Sequence, residues 1–189
     1  METDGGRGGD IDRPEGLERA AAVTAEADFQ DGVSYIEQSI GGLLRVVREQ
    51  LDLEVVFLGE FVEGKRVFRH IAAGKGSAPI EVGQSHFLDQ TICKRIVDGS
   101  MPNVLASVAR VRTKFGLPPT YEALGAHIGV PVRYSDGTLY GVLCGFSFSP
   151  RDHLDERDVR RLEMAAKAAA RLLAQAQGID LDGPLSPQG

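Results

Sequence analysis

Cys93 and Cys144 are the chain's two thiols. Two cysteines alone make no zinc site and are too few for a secreted disulfide scaffold, so they read as free thiols of a reducing compartment. Cys93 stands beside Ile92 and Ile96 in a helical pattern, where its plain reading is a small buried hydrophobe. Its chemical reading is a redox-sensitive thiol whose thiolate Lys94 and Arg95 would favour. Cys144, in GVLCGF, shares a strand face with Tyr140, Val142 and Phe146 and reads as core. His127 precedes the alternation Ile128, Val130, Val132 and so points to the opposite face, with Gly129 and Pro131. A histidine so placed is a candidate haem ligand, with His70 and His86 as the others; the competing reading is a satisfied structural imidazole. Asp89, Arg95 and Asp98 form the polar face of the helix that holds Cys93, and Asp98-Gly99 starts its exit turn. Arg110, Arg112 and Lys114 form a basic cluster that reads as a solvated helix face or as a lid over an anion. The ligand-binding set taken from these is His86, Asp89, Cys93, Ile96 and His127, with Cys93 as the redox residue; no catalytic residue and no metal site is assigned.

These residues must be positioned by a folded unit of about 28–177, between an N-terminal tail of 1–26 and a C-terminal tail of 178–189, both expected to be disordered. The unit opens with a helix in which Phe29, Val33, Ile36, Ile40, Leu43 and Val47 step by four and three, with Gly41 and Gly42 inside the seam. LEVVFLGEFV and KRVFRHIAA read as a hairpin turning at Glu63-Gly64. Ser85 is a candidate cap for a helix over about 86–98, which Gly99 stops. MPNVLA suggests a short strand, and the segment that follows offers a short helix before a Pro-Pro loop. GAHIGVPVRY and LYGVLCGFSF read as a second hairpin turning at Ser135-Asp136-Gly137-Thr138, with Pro131 marking a bulge or an unpaired donor position. LDERDVRRLEMAAKAAARLLAQAQ closes the unit as a helix with acidic residues at its start and a seam of Val159, Leu162, Ala166, Ala169, Leu173 and Ala176. The order is α+β: an antiparallel sheet with the terminal helices on one face and a ligand pocket under the irregular middle on the other.

A chain of 189 residues with 42% hydrophobic residues is one domain's worth of core. A net charge of −6 argues against nucleic acid, and no apolar run approaches a membrane span or a secretory signal, which points to a cytoplasmic protein.

The run GAHIGVPVRYSDGTLYGVLCGFSFSP followed by LDERDVRRLEMAA resembles the closing hairpin and last helix of GAF domains, and LDQTICKRIVDGSMPNVLASVA is similar to a segment of GAF domains in bacterial signalling proteins. The resemblance implies a sheet of about six strands, a pocket on one face and a homodimer made by the terminal helices. It implies a non-catalytic sensory domain that binds a small molecule, passes occupancy through those helices and acts on a signalling partner. It leaves the cofactor unknown: haem is open, whereas a covalent bilin is disfavoured because Cys93 precedes Lys94 and Cys144 precedes Gly145 rather than His. The Asn-Lys-x-Phe-Asp-Glu pattern of the cyclic-nucleotide members does not occur. The alternatives are a dimerisation or interaction scaffold without ligand, and a thiol redox enzyme like the free methionine-(R)-sulfoxide reductases, whose middle loops group several cysteines where this chain has only Cys93. No GGDEF, EAL, kinase, P-loop or helix-turn-helix pattern is found.

Overall fold

A computed structural model describes residues 15–76 and 80–178. Contacts divide the chain into Met1–Tyr35, which holds the start of the first helix, and Ile36–Gly189, which holds the sheet. Helix α1 runs Glu15–Gln50. It begins before the boundary expected for the N-terminal tail, because the Ala- and Glu-rich run after Glu15 is helix-forming even though it offers little to pack. The remainder of both expected tails lies outside the described residues.

Strands β1 (Val55–Val62) and β2 (Lys65–Ala73) form the first hairpin, and Glu63 and Gly64 both take positive φ at its turn, as a two-residue loop of this hand requires. The next segment departs from expectation. Ser85 does not cap a helix: Ser85–Phe87 is an edge strand, β3, paired with β2 through Arg66↔His86. A turn at Leu88–Gln90 follows, and Thr91 is the cap, its Oγ1 accepting the Lys94 N–H at 3.2 Å. Helix α2 is therefore only Ile92–Val97, ending at Gly99 in the left-handed region, where glycine is favoured. Strand β4 (Val104–Leu105) and helix α3 (Val108–Phe115) complete the middle.

Strands β5 (Ala126–Arg133) and β6 (Leu139–Ser147) form the second hairpin around Asp136-Gly137, where the Asp136 carboxylate accepts the Thr138 N–H. Pro131 keeps its register opposite Val142, without a bulge of its own. Gly129 N–H donates towards β4, to Asn103 O, and by alternation the missing donor of Pro131 falls on that same side, beyond the end of the two-residue β4. The bulge lies instead between Val132 and Arg133, and it turns Tyr140 onto the face opposite Val142 and Phe146, against Tyr134. Helix α4 (Glu156–Ala176) starts at a capping box of Asp155 and Asp158.

The six strands lie in the order β3-β2-β1-β6-β5-β4, all pairs antiparallel. One face carries Val56, Leu58, Ile128, Val130, Val132 and Leu143 under Ile40, Leu44 and Val47 of α1 and Val159, Leu162 and Ala166 of α4. The α4 seam is wider than expected: Ala165, Ala170 and Ala174 are buried too, so this stripe packs on the chain's own sheet. The other face carries Val55, Phe57, Phe68, Val142, Cys144 and Phe146 beneath Cys93 of α2.

His70 lies on the helical face, its Nδ1 3.2 Å from Glu37 of α1. Burial lowers its pKa, Arg69 adding to the fall and Glu37 opposing it. The sign follows. An unfolded imidazole near 6.5 binds more protons than the folded one, so stability is full above that pH and declines as pH falls through the folded value. The midpoint of urea unfolding is expected to drop between about pH 7 and pH 5, and His70→Gln to flatten that dependence.

Candidate functional site

The second face of the sheet gathers residues that are far apart in sequence. Cys144 sits in central strand β6, between Phe57 of β1 and Gly129 of β5. Gly129 gives its sulfur room: a Cβ there would stand 2.7 Å from Cys144 Sγ, 3.1 Å from Ile96 Cδ1 and 3.3 Å from His127 Cε1. The Thr91 cap orients α2 so that Ile92, Cys93 and Ile96 face the sheet. Tyr121 secures the start of that helix, its hydroxyl accepting the Ile92 N–H at 3.2 Å and donating to Gln90 O at 3.3 Å.

The two sulfurs stand 3.5 Å apart, with the Cys144 thiol donating to Cys93. Cys93 is 1% exposed, Cys144 0% and His127 3%, and one donor atom from each lies within 4.8 Å of the others. The third neighbour is Arg66. It enters from β2, on the inward face it shares with Phe68, and its guanidinium lies 4.2 Å from the Phe68 ring centre and 5.2 Å from that of Phe57. One Nη donates to Cys93 Sγ at 3.3 Å and the other approaches His86 Nδ1 at 2.9 Å, while Nε has no partner. Gly59 of β1, which pairs with Phe68, leaves room for the arginine's stem.

Arg66 is 6% exposed, and no carboxylate pairs with it among the described residues. A buried guanidinium without an anion is costly, so the counter-charge has to come from Cys93. The thiol is accordingly held well below its ordinary range: the Cys144 hydrogen bond is the largest cause, Arg66 and His127 act in the same direction, and burial opposes them. Cys144 moves the other way, pushed up by burial and by giving its hydrogen bond to the neighbouring sulfur. Cys93 is thus the acceptor of the pair and the sulfur on which a thiolate is favoured. Since a guanidinium only donates, His86 Nδ1 is the acceptor, and burial together with Arg66 lowers the pKa of that imidazole.

Of the expected ligand set, Cys93, Ile96 and His127 come together in the interior. His86 is on the exposed edge strand and reaches Cys93 only through Arg66, and Asp89 is exposed on the turn before α2. His70 lies across the sheet. Arg110 and Arg112 are drawn apart, to Asp152 and Glu122, and form no joint anion site. A groove of about 560 Å³ lies on the helical side, lined by Pro131, Arg133, Tyr134, Lys167 and Arg171 among others, away from the thiols. A tetrapyrrole does not fit at His127 or at either cysteine, because each is enclosed by packed side chains. Cys144, Arg66 and Gly129 are the site residues that sequence reasoning missed. Arg66 carried a signal, a cation on the same alternation as Phe68.

A family model for the GAF domain matches residues 37–174. Among solved structures the chain is similar to the GAF domain of an Acinetobacter phosphoenolpyruvate-protein phosphotransferase, at 19% identity and TM-score 0.59 over 83% of this chain and 97% of that one. It is also similar to a type II free methionine-R-sulfoxide reductase of Thermoplasma acidophilum, at 16% identity and TM-score 0.59, covering 76% and 96%. The GAF domain of Thermosynechococcus elongatus PixJ, in its blue-light absorbing form, matches at 16% identity and TM-score 0.58, covering 78% and 92%. No curated protein matches the chain, and among the described residues no helix is long and apolar enough to cross a membrane.

Proposed function

The chain belongs to the GAF domain family, and on that premise we propose that it is a sensory domain whose input is oxidation of the Cys93–Cys144 pair. The observation that carries this reading is the 3.5 Å approach of the two sulfurs. The small molecule of the sensory reading is then the oxidant itself, a hydroperoxide. The Cys93 thiolate attacks the terminal peroxide oxygen: an S–O bond forms, the O–O bond breaks, and the released hydroxide, or alkoxide from an organic hydroperoxide, takes the Cys144 proton to leave as water or alcohol. The Cys144 thiolate attacks the Cys93 sulfur, the disulfide forms, and hydroxide departs. Two electrons pass from the sulfurs to the peroxide, and exchange with a reducing dithiol restores the start.

Closing the bond brings the sulfurs about 1.5 Å nearer, which draws α2 towards β6. Access of the oxidant to the buried Cys93 sulfur requires the short helix α2 to open locally. The helical face of the same sheet carries α1 and α4, and in this reading a homodimer paired through the terminal helices relays the shift to a partner protein. Relay requires the two redox states to favour different helix arrangements.

Peroxide titration of reduced protein is expected to remove two hydrogens per chain by intact mass. Cys93→Ser loses the reaction, and Cys144→Ser halts at a sulfenic acid that a dimedone probe traps on Cys93. Native mass spectrometry reads the subunit number in both states. Over-oxidation of either thiol with no disulfide formed overturns the reading. The 3.5 Å pair also suits the enzyme alternative, in which Cys93 would attack the sulfur of free methionine-(R)-sulfoxide; turnover of that substrate with a dithiol reductant would establish it in place of the sensor.

A further inference from the structure

The thiol pair has a third potential donor beside it that forms no bond in disulfide chemistry. His127 is buried, its Nδ1 has no hydrogen-bond partner, and a ring nitrogen lies within 4.8 Å of both sulfurs. Three elements contribute one donor each: α2 gives Cys93, β5 gives His127 and β6 gives Cys144. We propose that these three side chains form a trigonal site for a monovalent thiophilic cation, cuprous copper.

The choice of ion follows from donor type, number and charge. Thiolates are soft donors and select Cu(I), Zn(II) or iron–sulfur chemistry over the hard cations. A structural zinc site closes with four ligands, and this cluster offers three, with packed apolar side chains around it. Two thiolates carry two negative charges, and Arg66, 3.3 Å from Cys93 Sγ, returns one positive charge. A monovalent ion brings the buried sum to zero, whereas a dication leaves an uncompensated positive charge in the core. Loading needs little rearrangement, since the donors already face one another under α2. Binding displaces the protons that the two thiols carry, and no electrons move. Oxidation to the disulfide removes both sulfur ligands and releases the ion, so metal and oxidant compete for one pair.

This proposal goes beyond the redox reading, since it requires no disulfide, and His127 separates the two: metal binding uses it as a ligand, whereas in disulfide formation it is only a lesser support of the Cys93 thiolate and its loss slows the reaction without preventing it. The test is anaerobic competition of reduced full-length protein against a chromogenic Cu(I) chelator, bathocuproine disulfonate. One equivalent of Cu(I) per chain is expected to leave the chelator. Cys93→Ser and Cys144→Ser should weaken binding by more than about 100-fold, beyond the range for loss of an outer-shell partner. His127→Gln should weaken it by at least about tenfold while still losing two hydrogens to peroxide. X-ray absorption on the wild-type copper complex, which depends on no variant folding, should show two sulfur neighbours and one nitrogen. Failure to take Cu(I) from the chelator, a sulfur-only shell, binding indifferent to His127→Gln, or tighter binding of Zn(II) than of Cu(I) overturns the assignment.

Discussion

Replacing Arg66 with methionine is expected to weaken the Cys93 thiolate while leaving its packing nearly intact. Methionine keeps an apolar stem and deletes the guanidinium that lies over the Phe57 and Phe68 rings and donates to Cys93 Sγ. Without that charge, only the Cys144 hydrogen bond and the smaller contribution of His127 oppose burial at Cys93, with no guanidinium beside the sulfur, and an ordinary thiol is only a few per cent ionised near neutral pH. The ultraviolet thiolate absorbance of metal-free, reduced protein should fall below its wild-type value, and reaction with peroxide should slow at pH 7, by up to about 20-fold if Cys93 returns to an ordinary thiol. Arg66→Lys should recover only part of either, because one ammonium cannot serve Cys93 and His86 together as the planar fork does. Unchanged absorbance in Arg66→Met would mean that the Cys144 hydrogen bond alone sustains the thiolate, and Cys144→Ala would then abolish it.

The arginine also marks how far the sequence could be read. Features set by neighbouring residues were legible: Glu63-Gly64 and Asp136-Gly137 specify their hairpins, Gly99 stops α2, and the acidic start of α4 forms its cap. The alternation Ile128, Val130, Val132 correctly sent His127 to the other face. Features set by distant pairing were not. Ser85 looks like a cap because Ser, Thr and Asp share that chemistry, and only the pairing of His86 with Arg66 makes the segment a strand edge. Tyr140 alternates with Cys144 in sequence, yet the bulge at Val132/Arg133 turns it to the helical face. The site depends on the same kind of information. Fifty-one positions separate the two sulfurs, and nothing local signals their approach, which the β1–β6–β5 register and the Thr91 cap jointly determine. Among the described residues, Arg66 broke a local rule by placing a charge on an inward strand face, the kind of violation that functional or strained sites account for.

That dependence on register makes Gly141 a backbone position with a large expected effect on the site. A Cβ there would lie 2.0 Å from the carbonyl oxygen of Gly59 and 3.0 Å from Glu60 Cα. Both obstacles are main chain, so no rotamer change relieves the contact, and β1 and β6 must separate locally. This is the seam at which the two hairpins join, since β1–β6 is the central pair of the sheet. Gly141→Ala is expected to cost about 3 kcal/mol of unfolding free energy, the upper range for overpacking. The control is Gly42→Ala in α1, where no atom lies within 4 Å of the added methyl and the gain in helix propensity should stabilise by up to about 1 kcal/mol. Urea unfolding of both variants measures the contrast. Cys144 lies three residues along the same strand, opposite Phe57, so the displacement that destabilises Gly141→Ala should also disturb the sulfur contact and slow disulfide closure. A variant that unfolds like the wild type would show that the bulge at Leu58/Gly59 absorbs the methyl, and disulfide closure should then proceed at the wild-type rate.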